Sequence, residues 1–269
     1  MSSPYVHGYT LSEAQRLQDQ ASTLIDLLHA DTSYPAGAKV LEAGCGVGAQ
    51  TVTLAARSPN AQFTSIDRST ASLAQAQAAV AASGLSNVVF EQADILNLGF
   101  DRPSFDHIFL CFVLEHAARP REVLAALKRI LKRGGTITVI EGDHGSAYFH
   151  PDSDLARKAI DCQVILQAQT GGDAMIGRRL YPLLVEAGFS LPQVSPRMVY
   201  VDASKPDHLV DGFIRNTFTA MIEGVRTSAV EAGLLPPGDS DRGIADLHRT
   251  AEADGVFCYT FFKAVAVNN

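Results

Sequence analysis

Apolar positions along this chain follow two alternating rhythms. Short unbroken runs, Val40-Leu41, Phe63 to Ile66, Val88 to Phe90, Phe105 to Cys111 and Thr136 to Glu141, have the length and the β-branched or aromatic content of buried strands. Between them, apolar residues recur three and four apart. Leu11, Ala14, Leu17, Ala21, Leu24, Ile25 and Leu28 mark a first helix, opened by the capping box of Thr10 and Glu13. Thr51 to Ala55 continues as a second helix, and Ala71 to Ala82 is an alanine-rich third, closed by Gly84. Val123, Leu124, Leu127, Ile130 and Leu131 form the face of a fourth, which begins at Arg119-Pro120 and stops at Gly134-Gly135. Strands alternating with helices make an α/β chain.

The first strand runs into Glu42-Ala43-Gly44-Cys45-Gly46-Val47-Gly48, with three glycines spaced by two. Glycines at such a turn let the backbone take positive φ and approach a ligand closely. The helix that follows offers unpaired N–H groups and a favourable dipole end. This is the pattern of a nucleotide-type cofactor site. Gly44, Gly46 and Ala49 satisfy the loose dinucleotide pattern, but Glu42 would repel a pyrophosphate. The second strand ends at Asp67, 19 positions after Gly48, where a carboxylate can accept from both ribose hydroxyls. Arg68 follows and is a candidate to flank an adenine.

The fuller string E-A-G-C-G-V-G resembles the first motif of class I S-adenosylmethionine-dependent methyltransferases. The resemblance implies that Glu42 helps to hold the methionine ammonium group. It places Gly44, Cys45 and Gly46 against the cofactor's carboxylate and sugar, Asp94 on the adenine amino group, and the Ile95 N–H on the ring. The run S-F-D-H-I-F-L-C-F-V-L-E-H resembles the family's fourth-strand motif, which puts Cys111, Phe112, Val113 and His116 beside the cofactor or at the substrate mouth. L-K-R-G-G-T-I resembles the family's entry to strand five, with Arg133 where proline is usual. Family members often close the site with an N-terminal aromatic segment, so Tyr5 and Tyr9 are candidates here. The implied fold is a Rossmann-like seven-stranded sheet of order 3-2-1-4-5-7-6, strand 7 antiparallel, with helical cap inserts.

On this reading residues 1–269 make one domain: an N-terminal segment and helix (1–34), a cofactor-binding core (35–141), and cap inserts (142–175 and 204–254). Ile176 to Gly188 reads as the helix before a sixth strand within Gln193 to Val201, and Val256 to Val265 as the last strand. The second insert reads as two helices, near Asp207 to Gly233 and Ile244 to Ala253. The inserts carry no family motif and are where substrate choice should reside.

Methyl transfer is an in-line displacement, in which alignment and exclusion of water matter most. A hydroxyl acceptor also needs a base. Candidates are His144, Asp143, Glu115 and His116, with His144 best placed, in the glycine-flanked stretch after strand five. Arg178, Tyr181, Arg197, Tyr200, Asn216 and Thr217 are candidates to line a substrate pocket. Arg197 suits a substrate carboxylate or one of the chain's own acids. Phe213, Phe218, Met221 and Ile222 recur at helical spacing as lid core, and their apolar character fits an organic, even aromatic, substrate.

Composition narrows the partners. Of 269 residues, 22 are Lys or Arg and 29 are Asp or Glu, a net charge of −7 that disfavours a nucleic-acid face. Four scattered cysteines without a C-x-x-C speak for a reducing, cytoplasmic setting and against a metal site or disulfide framework. No charged-then-apolar leader or membrane-length apolar run is expected to anchor the chain. The first helix and the long cap helices offer surface for a homodimer contact. The leading expectation is methylation of a small molecule at N, O or C, with S-adenosylmethionine as donor and S-adenosylhomocysteine as product. The alternatives are a methyltransferase fold that binds the cofactor without methylating (a cyclase or binding module), methylation of a protein partner, and an NAD-dependent oxidoreductase.

Overall fold

Each apolar run becomes a strand, and the strands join edge to edge. In the computed structural model, which describes residues 23–100 and 102–269, β1 (Lys39–Ala43), β2 (Gln62–Asp67), β3 (Val88–Gln92), β4 (Phe105–Cys111), β5 (Leu131–His150), β6 (Ser190–Asp202) and β7 (Val256–Val267) form one sheet. Its order is β3-β2-β1-β4-β5-β7-β6. The β1–β2, β1–β4, β2–β3 and β4–β5 pairs are parallel, whereas β7 runs antiparallel to both β5 and β6. The expected topology is the observed one. Tyr5, Tyr9 and most of the first helix lie outside the described residues; its last turns, α1, are helical over 23–29.

Alternation along the strands sends neighbouring residues into two apolar layers. Val40, Phe63, Phe109 and Ile140 join Leu24 and Leu28 of α1 and Leu54 of α2 (Thr51–Arg57). Leu41, Ile66, Leu110 and Val139 face the other way, onto Val123, Leu124 and Leu127 of α4 (Pro120–Ile130). Helix α3 (Thr70–Ala82) connects β2 to β3. Leu180, Leu183 and Leu184 of α6 (Leu180–Glu186) extend the second layer over β7. A buried side chain of this size contributes about 1.5–3 kcal/mol, so both layers are major sources of stability.

The cap is built from α5 (Asp154–Gln169), α7 (Asp207–Leu209), a π-helical stretch Val210–Thr219, α8 (Ala220–Gly224), α9 (Arg226–Glu231) and α10 (Pro237–Arg249). Ile160, Phe213, Phe218, Ile244 and Leu247 from these helices pack on Phe257, Tyr259 and Phe261 of β7 in the first layer. The second insert is therefore a chain of short helices where the periodicity predicts two. In the π-helical stretch the Thr217 hydroxyl donates to the Gly212 carbonyl, 2.6 Å away and five residues back. A Cβ at Gly212 would lie 2.5 Å from Thr23 Oγ1, so glycine lets this stretch approach α1.

Two further differences concern strand ends. β5 does not stop at Glu141 but runs to His150, with a register shift between Asp143 and Tyr148. Gly142 and Gly145 disguise that continuation in the sequence. The expected helix from Ile176 begins as a tight 3-10 turn, Ile176–Arg179, before α6.

One buried lysine ties the end of α1 to the last strand. Lys263 Nζ on β7 donates to Asp31 Oδ1 (2.6 Å), Thr32 Oγ1 (2.6 Å) and the Leu28 carbonyl (3.3 Å). Arg197 on β6 reaches the other Asp31 oxygen at 2.5 Å. The end of α1 is thus clamped to the antiparallel half of the sheet.

Candidate active site

The glycine turn and the ends of β1 and β2 form one hydrogen-bonded junction. Gly44 N–H and Cys45 N–H both donate to the Ile66 carbonyl, at 2.8 and 2.9 Å. Gly46 N–H donates to Asp67 Oδ2 at 3.0 Å, and Ser69 N–H to Asp67 Oδ1 at 2.8 Å. The sequence pairs Asp67 with the turn by spacing, and the structure pairs them by contact. Gly46 has φ +52°, and among the described residues a Cβ there would meet no atom within 4 Å. The space beside its backbone is open, which is the room a bound cofactor requires. Gly44, with φ +79°, has the opposite need: a Cβ would lie 2.7 Å from Val113 Cγ2.

Glu42 is buried beneath this turn. Its Oε2 accepts from Thr51 Oγ1 at 2.7 Å and Ser65 Oγ at 2.6 Å. Burial raises its carboxyl to about 7, against the pull of the Ser65 and Thr51 hydroxyls. Cys45 is also buried, and its thiol is pushed up by burial and then by the charges of Glu42 and Asp67.

The remaining cofactor candidates lie along the same sheet edge. Asp94 caps the turn Ile95–Asn97 through Oδ1 and the Leu96 N–H, 2.9 Å apart. It is exposed, while Ile95 packs against the second apolar layer. Arg68 is exposed, and its carbonyl accepts from Gln92 Nε2 at 3.0 Å. Cys111 ends β4, half-buried. Phe112 then takes φ +57°, a strained conformation for so bulky a residue. Its ring lies 5.5 Å from that of Phe261. His116 Nε2 is 3.4 Å from Glu115 Oε1.

The irregular middle of β5 supplies a second constellation. Irregular register re-aims side chains, and such places recur at active sites. Asp143 is buried and makes a two-pronged pair with Arg178, Nε to Oδ2 and Nη2 to Oδ1 both at 2.7 Å. His144 is buried between cap and sheet. Its Nδ1 lies 3.0 Å from the Ala174 carbonyl and 3.2 Å from the Tyr259 hydroxyl, and its Nε2 lies 3.3 Å from Met221 Sδ. The Ala174 carbonyl and the Met221 sulfur both only accept, and the carbonyl is much the stronger acceptor, so in the neutral ring the proton belongs on Nδ1 and Nε2 carries the lone pair. Tyr259 stands edge-on to the imidazole at 5.7 Å, and Phe218 lies at 6.1 Å. Gly142 makes room for this arrangement, since a Cβ there would lie 2.4 Å from the Tyr259 hydroxyl.

The substrate candidates scatter. Arg178 is held by Asp143, and Arg197 by Asp31. Tyr181 is 56% exposed on α6, whose apolar face belongs to the layer opposite that of Tyr259. Tyr200 is 46% exposed and pairs in register with Cys258. Asn216 is exposed on the π-helical stretch. Among the described candidates, His144 lies within the aromatic group of the cap, and Thr217 is buried between Phe213 and Phe218 on the π-helical stretch. Sequence reasoning overlooked Tyr259 and Glu141. The signal for Glu141 was available: like Glu42, it is an acid closing an apolar strand.

Sheet order, glycine turn and the acids at the ends of β1 and β2 define a class I methyltransferase fold. A family model described as a methyltransferase domain matches residues 35–188, and the chain belongs to that family. An uncharacterized 37.1 kDa protein in transposon TN4556 of Streptomyces fradiae is 32% identical over 240 residues, 88% of this chain and 64% of that protein. The 24-methylenesterol C-methyltransferase 3 of Arabidopsis thaliana is 30% identical over 182 residues, 66% of this chain and 46% of that enzyme. The chain thus spans less than two thirds of either relative. Among solved structures, the 4+2 cyclase SpnF superposes with a TM-score of 0.55 at 18% identity, over 93% of this chain and 80% of its own.

Proposed function

We propose that this protein transfers a methyl group from S-adenosylmethionine to an N, O or C nucleophile of a small organic molecule, in a pocket closed by the helical cap. One observation carries the reading: the open space at Gly46 lies beside a carboxylate, Asp67, that is already fixed by two backbone N–H groups. The residues present suit the cofactor. Asp67 offers its remaining lone pairs to ribose hydroxyls, the turn admits the methionine end, and Asp94 and Ile95 flank the adenine place. When bound, the cofactor supplies an electrophilic methyl on a positively charged sulfur.

The chain's own work is then alignment and proton removal. Phe112 and Phe261 form an aromatic wall at the end of β4, suited to an apolar acceptor. His144 Nε2 takes the proton of a hydroxyl or amine acceptor as that atom attacks the methyl, while the Ala174 carbonyl holds the Nδ1 proton in place. The cap helices exclude water. The family membership and the sterol C-methyltransferase relative support a methyl-transfer reading with a small organic acceptor.

Calorimetric titration of wild type and Asp67→Ala with S-adenosylmethionine, S-adenosylhomocysteine and NAD tests the cofactor. Binding of the first two, weakened in the variant, is expected; binding of NAD alone overturns the reading. Labelled-methyl turnover over an acceptor panel tests the transfer. Likeness to the SpnF cyclase supports the second reading, a fold that keeps the cofactor without methylating. A chain that binds the cofactor, converts an acceptor and leaves the label on the donor would decide for it.

A further inference from the structure

At the carboxyl end of the sheet β4 leaves its partners, and the next residues must turn sharply at Phe112. The N–H groups of Val113 and Leu114 then have no strand to bond to. Both donate to one atom, Glu141 Oε1, at 3.0 and 2.7 Å. We infer that Glu141 is a positioning residue for the cofactor site: it pins the Phe112–Leu114 segment, and through Val113 it sets the wall on which the glycine turn rests.

The contact with the turn is direct. Val113 Cγ2 lies 2.7 Å from where a Cβ of Gly44 would be, so a shift of Val113 moves the surface against Gly44. Two residues further along that turn, Gly46 faces the open space. The path from Glu141 to the cofactor place is therefore one pair of hydrogen bonds and one van der Waals contact.

Stability alone does not account for a carboxyl group here. Glu141 is fully buried, and among the described residues its Oε2 has no hydrogen-bond partner. No cation is paired with it in the described ion pairs, and burial and then the nearby Glu115 push its carboxyl well above the ordinary range. The N–H groups of Leu114, Val113 and Glu115 pull the other way. An apolar side chain of similar volume would avoid the cost of burying an acid. What it lacks is an acceptor for two N–H groups. Oε1 provides that acceptor in either protonation state, and so does a glutamine.

The inference uses the cofactor of the proposed reaction but not its acceptor. The experiment is calorimetric titration of wild type, Glu141→Gln and Glu141→Leu with S-adenosylmethionine and S-adenosylhomocysteine, with a thermal melt of each protein alone. Glu141→Gln should bind both within about threefold of wild type, because the acceptor atom is kept. Glu141→Leu should melt lower than wild type, because two N–H groups lose their acceptor, and at a temperature where it is folded should bind both about 30-fold more weakly. A leucine variant that binds like wild type, or a glutamine variant as weak as leucine, overturns the inference. Should Glu141→Leu fail to fold, Val113→Ala reads the same contact from the other side. It keeps Glu141 and both N–H groups, and should weaken both ligands about tenfold; unchanged affinity overturns the inference. Wild-type protein that binds neither ligand overturns the functional reading and this inference together, whereas the variant pattern tests the inference alone.

Discussion

The cofactor half of the sheet and its antiparallel half hold their polar residues in different ways. At the glycine turn, Asp67 is fixed by backbone N–H groups of residues 46 and 69, and Glu42 by hydroxyls of residues 51 and 65. The partners lie on β2, in the glycine turn and at the starts of the two helices that follow, all within a short span of sequence. In the antiparallel half, His144 meets Tyr259 across 115 residues, and Lys263 meets Asp31 across 232. The first half is a fixed receptacle whose geometry is written into a short motif. The second is an assembly of distant segments; on the proposed function, its acceptor can change without disturbing the receptacle.

The comparison breaks if chemistry and cofactor binding cannot be separated by mutation. The largest effect is expected at the imidazole. Once an acceptor needing a base is found, His144→Ala should lower turnover by about 100-fold or more, while calorimetry shows cofactor affinity unchanged. A loss of both together would merge the two halves into one unit. Gly46→Val reads the other side. It places a branched side chain at φ +52° and in the open space, and should weaken S-adenosylmethionine about 100-fold. The Tyr259 and Phe218 packing around His144 should stay intact, as near-ultraviolet circular dichroism can report.

Next in size is the clamp between the halves. Lys263 is 3% exposed and donates to Asp31, Thr32 and the Leu28 carbonyl. Lys263→Met should cost about 2–3 kcal/mol in urea unfolding, since the Leu28 carbonyl and the Thr32 hydroxyl lose their buried donor while the half-exposed Asp31 keeps Arg197. A variant as stable as wild type would mean that α1 is held by its apolar face alone.

How much of this was legible in the sequence follows the same division. The sheet order, the glycine turn and the place of Asp67 beside it are legible because strand, turn and acid recur at short, fixed spacing. The extension of β5 to His150 was hidden because Gly142 and Gly145 interrupt its alternation. Both glycines have spatial reasons. Gly142 leaves room for the Tyr259 hydroxyl, and a Cβ at Gly145 would lie 2.5 Å from Arg178 Nη2. Those partners come from elements far along the chain, and spacing does not reveal them. The sequence offers Arg178 to a substrate, and Arg197 to a substrate or to one of the chain's own acids; which acids they meet, Asp143 and Asp31, depends on the same long-range folding. Glu141 was passed over because the motif for strand five stresses its glycine entrance rather than its acid exit.

The smallest predicted effect sharpens the comparison most finely, because it sets a receptacle group against its neighbour from α1. Glu42 and His29 sit on either side of the start of α2: Thr51 donates to Glu42, and Gln50 bonds His29 Nε2 at 2.6 Å. Burial raises Glu42 from 4.5 to about 7, so the folded state holds the proton longer than the unfolded one, and stability from this group falls as pH rises through that window. Burial lowers His29 from 6.5 to about 4, so the unfolded state takes the proton first, and stability from this group is lost as pH falls through its window. The windows overlap between pH 4.5 and 6.5, where the two slopes oppose and nearly cancel. Glu42→Gln should therefore unmask the histidine: relative to wild type, unfolding free energy should gain about 2 kcal/mol between pH 5 and 6.5. His29→Asn should tilt the difference the other way by a similar amount. Urea melts at several pH values measure both. Parallel profiles for all three proteins would mean that neither group keeps a shifted proton in the fold, and that the junction of α1 with the glycine turn is electrostatically indifferent.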